Sequence, residues 1–241
     1  MRNKVVTATV LAGLSMVSGT AFAQTGSFGG NYARVEADSG DTDVYGIDGE
    51  AIFELGAPYA VILEGDFTET DDTNATGSVE GHLIARGSNN AWGFFLGAAD
   101  TEESTILLAG GEYAQFFDGA TLAFNLNYAT DSDTDVNAFG VNGAYRIFSN
   151  DNLRFDIGAG AGQGEAGPAE VEVYSFGVGF EYRFDGTPYS IGAAYSHIQA
   201  DAVDANVLGV TLRWNFGDTT LKAADRAGKT FTGLGSALQS F

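Results

Sequence analysis

The sequence contains no cysteine, which removes a disulfide framework, thiolate zinc sites and cysteine nucleophiles at once. Bases are nearly as scarce. Lys and Arg total 11 against 32 Asp and Glu over 241 residues, for a formal charge of −21 and a pI of about 4.1. A chain this acidic lacks the clustered cations that meet phosphates, so nucleic acid is excluded as a partner. After the N-terminus no stretch reaches the roughly 18 apolar residues in a row that a membrane-crossing helix needs. What is abundant is glycine, 34 residues, together with 18 Phe, 10 Tyr and 2 Trp. With 44% hydrophobic residues the chain is far too apolar to stay disordered.

The first 23 residues read as a cleaved leader. Arg2 and Lys4 precede a mostly apolar run from Val5 to Val17, and Ala21-Phe22-Ala23 supplies an A-x-A cleavage site before Gln24. The mature chain therefore starts near Gln24 and leaves the cytoplasm. From there to Phe216 all six basic residues are Arg and none is Lys.

Between Gly26 and Phe216 the residues alternate with period two, the pattern of strands with unlike faces. Tyr174, Phe176, Val178, Phe180, Tyr182 and Phe184 share one face, opposed by Ser175, Gly177, Gly179, Glu181 and Arg183. The segment Leu208 to Phe216 repeats this, as do Leu122 to Tyr128 and Tyr189 to Tyr195. The polar face is the informative one. Soluble strands usually carry Lys, Glu and Thr outside, whereas small residues and Arg suit a crowded interior with the apolar face toward lipid.

Two kinds of connection alternate. Gly56-Ala57-Pro58, Gly87 to Asn90, Asp118-Gly119, Ser149 to Asn152 and Asp185 to Pro188 are tight turn sequences. The segments 38–43, 69–72, 100–103, 131–135, 163–170 and 199–204 are acidic and read as longer exterior loops. Tight turns recur about every 30 residues, one hairpin each. Eleven connections predict twelve strands, an antiparallel up-and-down all-β barrel. Aromatics cluster at both strand ends, from Phe53, Trp92, Phe148 and Trp214 near the tight turns to Tyr45, Tyr128 and Tyr174 near the acid, as the girdles of a transmembrane barrel do.

With its A-x-A leader, its alternating strands and the closing segment Gly209-Val210-Thr211-Leu212-Arg213-Trp214-Asn215-Phe216, the chain resembles the Gram-negative outer-membrane β-barrel proteins of porin-like kind. That segment looks like their barrel-assembly signal. The resemblance covers Gln24 to Phe216 and departs at one point: such a Phe normally ends the chain, and here 25 residues follow. It implies a location in the cell outer membrane, with membrane lipids and small ions or solutes as partners, passive diffusion as the activity and no cofactor. The expected division is leader 1–23, barrel 24–216 and a periplasmic tail 217–241, read first as a mobile terminus, with a lumen plug as the alternative. The oligomeric state is not legible.

The inward phase collects the candidate pore-lining residues. Arg86, Arg146, Arg154, Arg183 and Arg213 lie within a few residues of a tight turn or of Phe216. Asp48, Glu50, Glu64, Asp66, Glu80, Glu112, Asp156 and Glu181 share their phase, most of them deeper. Arg34 and Glu36 join them if Ala33, Val35 and Ala37 face lipid. Two readings stay open: a charged constriction that selects ions, or a lumen closed by salt bridges, as in a structural or surface-interaction barrel. Because inward carboxylates outnumber Arg, an open pore is expected to prefer cations. Catalysis is not expected. Outer-membrane hydrolases do occur on twelve-stranded barrels, but His82 reads as a hydrogen-bonded lumen residue, and Ser196 and His197 point to opposite faces. No metal site is expected either, since Asp131-Ser132-Asp133-Thr134-Asp135 lacks the glycine and distal Glu of a calcium loop.

Overall fold

A computed structural model describes residues 25–38, 40–70, 75–100, 104–131, 136–166, 169–200, 203–217 and 220–231; the expected leader lies outside them. Twelve strands follow in chain order: β1 (Thr25–Ala37), β2 (Gly40–Gly56), β3 (Tyr59–Thr70), β4 (Ala75–Arg86), β5 (Asn90–Asp100) and β6 (Thr105–Phe116), then β7 (Ala120–Asp131), β8 (Val136–Asn150), β9 (Leu153–Ala166), β10 (Ala169–Arg183), β11 (Tyr189–Ala200) and β12 (Val203–Phe216). Each pairs antiparallel with its chain neighbours, and β1 pairs with β12 to close the sheet into a barrel. The closing register runs from Gly26 opposite Phe216 to Ala37 opposite Ala205. Every strand thus finds a partner on both sides, and no edge remains to be satisfied by solvent.

The two faces are inverted relative to a soluble protein. In β5, Phe94 and Leu96 are 62% and 72% exposed while Phe95 between them is 2% exposed. Phe28, Ile47, Leu126, Phe176, Leu208 and Leu212 are likewise exposed on the outside. An apolar surface this extensive requires an apolar surround. At its acidic end the band finishes in tyrosines whose hydroxyls donate to polar neighbours. Tyr32 bonds Asp43 at 2.9 Å, Tyr128 bonds Asn137 at 2.7 Å, Tyr174 bonds Glu172 at 3.2 Å and Tyr195 bonds Asn206 at 2.7 Å. A ring in the apolar layer with its hydroxyl in the polar one is the arrangement of an interfacial belt.

Three details differ from the sequence expectation. First, the acidic connections are shorter than their composition implies. β1 and β2 are separated by two residues, and Asp41 and Asp43 belong to β2. Pairing of the backbone continues through the acid because cross-strand partners balance it: Arg34 contacts Asp41 at 2.6 Å and Asp43 at 3.8 Å. Second, Arg34 and Glu36 face outward at this rim in phase with Phe28 and Tyr32, so Ala33 and Val35 line the interior instead. Third, Phe148 turns inward beside Arg146 and is buried, leaving the girdle.

After β12 the chain does not trail away. Gly217 adopts φ +93°, and Thr220 caps a single helical turn, α1 (Leu221–Ala224), by accepting from the Ala223 amide at 3.2 Å. Asp225–Lys229 continue as a wider π-type turn, broken at Gly228 where φ is +139°. Leu221, Asp225, Lys229, Thr230 and Phe231 are all buried.

Candidate functional site

The inward phase forms a charged wall. Asp48 holds Arg213 across the β1–β12 closure and accepts from Asn31. Arg154 contacts Asp156 at 2.9 Å and Glu181 at 3.3 Å, and Glu181 also accepts from Ser190 at 2.7 Å. Arg86 pairs with Glu54, and Asp66 accepts from Ser78. His82 sits with its ring nitrogens 2.8 Å from Glu64 and 2.8 Å from Glu112, packed against the Phe95 ring at 5.4 Å. Glu80 is buried nearby on the same strand. Arg183 stays at the tight-turn mouth, donating to the Thr187 carbonyl at 3.1 Å.

Among the described residues, each of these barrel ion pairs lies within a strand or joins strands that are adjacent or once removed around the barrel. They brace the wall and do not cross the lumen.

What crosses it is the tail. Lys229 reaches Glu50 on β2 at 2.9 Å and Ser27 on β1 at 3.1 Å. Asp225 accepts from Thr121 on β7 at 2.6 Å and from Arg146 on β8 at 3.2 Å, and Arg146 also donates to the Thr230 carbonyl at 2.9 Å. Arg226 donates to the Phe117 carbonyl in the β6–β7 turn at 2.6 Å, and Arg86 on β4 donates to the Ala227 carbonyl at 3.3 Å. Phe231 completes an apolar cluster with Ile52, Ile62, Ile84, Phe116 and the alanines 60, 91, 114 and 123. Only Gly fits at 228, since a Cβ there would meet the Ile62 and Ile84 methyls at 2.9 and 3.0 Å in addition to the unfavourable φ. One void between α1 and the wall is about 10 Å³, room for a single water at most.

Above this floor lies a cavity of about 410 Å³. It extends from Lys229, Arg146, Arg154 and Arg213 to Val35, Val44, Ile198 and Ala205 near the acidic rim. Its charged lining comprises seven carboxylates (Asp48, Glu50, Glu64, Asp66, Glu80, Asp156 and Glu181) against these four cations. One side is small and apolar, with Gly179, Gly192, Ala194 and Val207.

All thirteen residues singled out from the sequence carry their side chains on the inner face, though Arg86, Arg183 and Glu112 fall outside the cavity lining. Sequence reasoning missed Glu54, which the phase of Asp48 and Glu50 already marks, and missed Asp225 and Lys229, which no periodicity marks. Ser196 is buried on the inner face, while His197 bonds Asn206 at 3.1 Å in the outward phase. The two do not form a nucleophile–base pair. The 132–135 acidic segment lies outside the described residues.

No protein-family profile and no curated protein matches the chain. Solved structures do match. The NanC porin aligns with a TM-score of 0.60 at 8% identity, covering 78% of this chain and 100% of that one. The KdgM porin gives 0.55 at 10% identity, covering 78% and 99%. The monoaromatic hydrocarbon channel CymD gives 0.53 at 10% identity, covering 82% and 89%. At such identities the likeness establishes the fold, that of the porin-like outer-membrane barrels.

Proposed function

We propose that this chain is an outer-membrane, porin-like channel for the passive diffusion of small solutes, with a preference for cations. The observation that carries the reading is the charged cavity of about 410 Å³ inside a barrel whose outer surface is apolar. Seven carboxylates against four cations along its lining favour a positive solute. A similar KdgM structure is described in complex with oligogalacturonate, a polyanion. The acid excess here argues against solutes of that charge.

A second reading, a closed structural or surface-interaction barrel, draws on the paired wall charges and the occupied mouth. Recording in a planar bilayer separates the two. Discrete current steps, with a reversal potential of cation sign across a KCl gradient, support the channel. Silence at all voltages supports the closed barrel, and an anion-selective current overturns the charge argument. Cation preference is expected to weaken as salt rises, since the screening length falls from roughly 30 Å at 0.01 M to about 8 Å at 0.15 M.

A further inference from the structure

Residues 220–231 bind opposite walls of the barrel. Lys229 is held by β1 and β2, Asp225 by β7 and β8. In the closed order of twelve strands, β1 and β7 are diametrically placed, as are β2 and β8. The tail therefore spans the lumen, whereas the barrel's own ion pairs run along the wall. From this we infer that the C-terminal tail is the constriction of the pore, and that Lys229 is the residue whose charge sets its selectivity. The inference rests on the channel reading above.

Three observations support it. The seat is prepared on both partners: inward-facing Ile52, Ile62 and Ile84 receive Phe231, and Gly228 supplies the one backbone shape that lets the chain pass over them. The polar ties are specific and buried, since Asp225 is fully enclosed between Thr121 and Arg146. Finally, the residues 24–216 contain no Lys, so Lys229 brings into the lumen a type of charge the barrel does not itself supply. A guanidinium locks into a planar, bidentate pair; an ammonium on a four-carbon stem is a compact, movable point charge. Lys229 lines the cavity floor, where a solute descending from the acidic rim meets it. There it opposes the carboxylates above and restrains cation passage.

Because the chain has no cysteine, a single introduced thiol reports on the tail without interference. Ala91→Cys places it in the apolar cluster beneath Phe231, where Ala91 is fully buried. In the full chain a charged thiol reagent is expected to react slowly; in a chain ending at Gly217, many-fold faster, with a several-fold larger single-channel conductance. Should the shortened chain fail to fold, the double variant Phe231→Ala/Lys229→Met in the full chain carries the same expectation for labelling. Lys229→Met alone should raise the permeability ratio of K⁺ over Cl⁻ several-fold, whereas Lys222→Met, at the outer side of the mouth beside Asp151, should move it far less. Currents whose size and selectivity ignore the tail, with labelling equally indifferent to it, overturn this inference and leave the channel reading intact. No current from any form, the shortened chain included, overturns the channel reading and the inference with it.

Discussion

His82 shows how a single side chain holds an acidic interior together. One carboxylate lies 2.8 Å from each ring nitrogen, and Nδ1 hydrogen-bonds Glu112, so the ring stands between Glu64 and Glu112 and keeps the two acids apart. His82→Ala leaves these carboxylates facing each other across a hole, and losing one partner of a buried ion network costs about 3–5 kcal/mol. The expected outcome is a clear drop in the temperature at which the barrel loses its folded mobility on a denaturing gel. An unchanged transition would mean that the His82 contacts contribute nothing to stability. Gly110 is the neighbouring test. A Cβ there would overlap the Phe95 ring and the Leu126 carbonyl, and Phe95 in turn supports the His82 ring. Gly110→Ala is expected to destabilise by roughly 1–3 kcal/mol, the range for overpacked interiors, and thermal denaturation by circular dichroism reads it.

At the scale of the strand, phase decides what a substitution does. Leu96 faces lipid, and Thr211 lines the cavity. A cation at a lipid-facing position near the bilayer midplane costs about 2–4 kcal/mol. Leu96→Lys should therefore lower folding yield into vesicles, while Thr211→Lys folds normally and shifts ion preference toward anions. Equal yields would contradict the assigned faces. This phase was legible in the sequence wherever a strand alternates cleanly, as in Leu122 to Tyr128, so the strand number and the inward charges could be read directly. It was obscured in two kinds of place. In β1, Arg34 and Glu36 obey the local ladder at the rim and not the lipid rule, because at that height both faces are wet. Near the tight turns, Ala51-Ile52-Phe53, Val61-Ile62-Leu63 and Leu83-Ile84-Ala85 are apolar on both faces. Such a run carries its own signal, that something apolar covers the interior there. What covers it sits more than 140 residues away in sequence (Ile84 to Phe231), a contact that neither composition nor period encodes.

For the whole molecule, charge is distributed by height. The barrel segment 24–216 holds 30 acids and six Arg, so its formal charge is −24, and much of the excess lies at the acidic end. The tail adds three cations, Lys222, Arg226 and Lys229, at the opposite mouth. On the channel reading, a mobile cation would enter through an attractive field and leave past an opposing one. Current through an open form should accordingly be asymmetric in voltage at low salt and nearly symmetric at high salt, as screening removes the distant charges first. Current–voltage curves at two KCl concentrations check it; equal asymmetry at both would mean the field does not act on permeation.

The ties of the tail also dictate an order in time. Lys229 and Ser27 are 202 positions apart, and the tail's partners are spread over β1, β2, β4, β7 and β8. β1 and β7, like β2 and β8, stand on opposite sides of the tail only when the sheet has curled into its closed circle. Docking is therefore expected to follow closure of the barrel. Until then Lys222, Arg226 and Lys229 are expected to stay accessible to a protease that cuts after Lys or Arg. Brief trypsin pulses during refolding should remove the tail early and spare it late, which turns the C-terminus into a clock for the completion of the barrel.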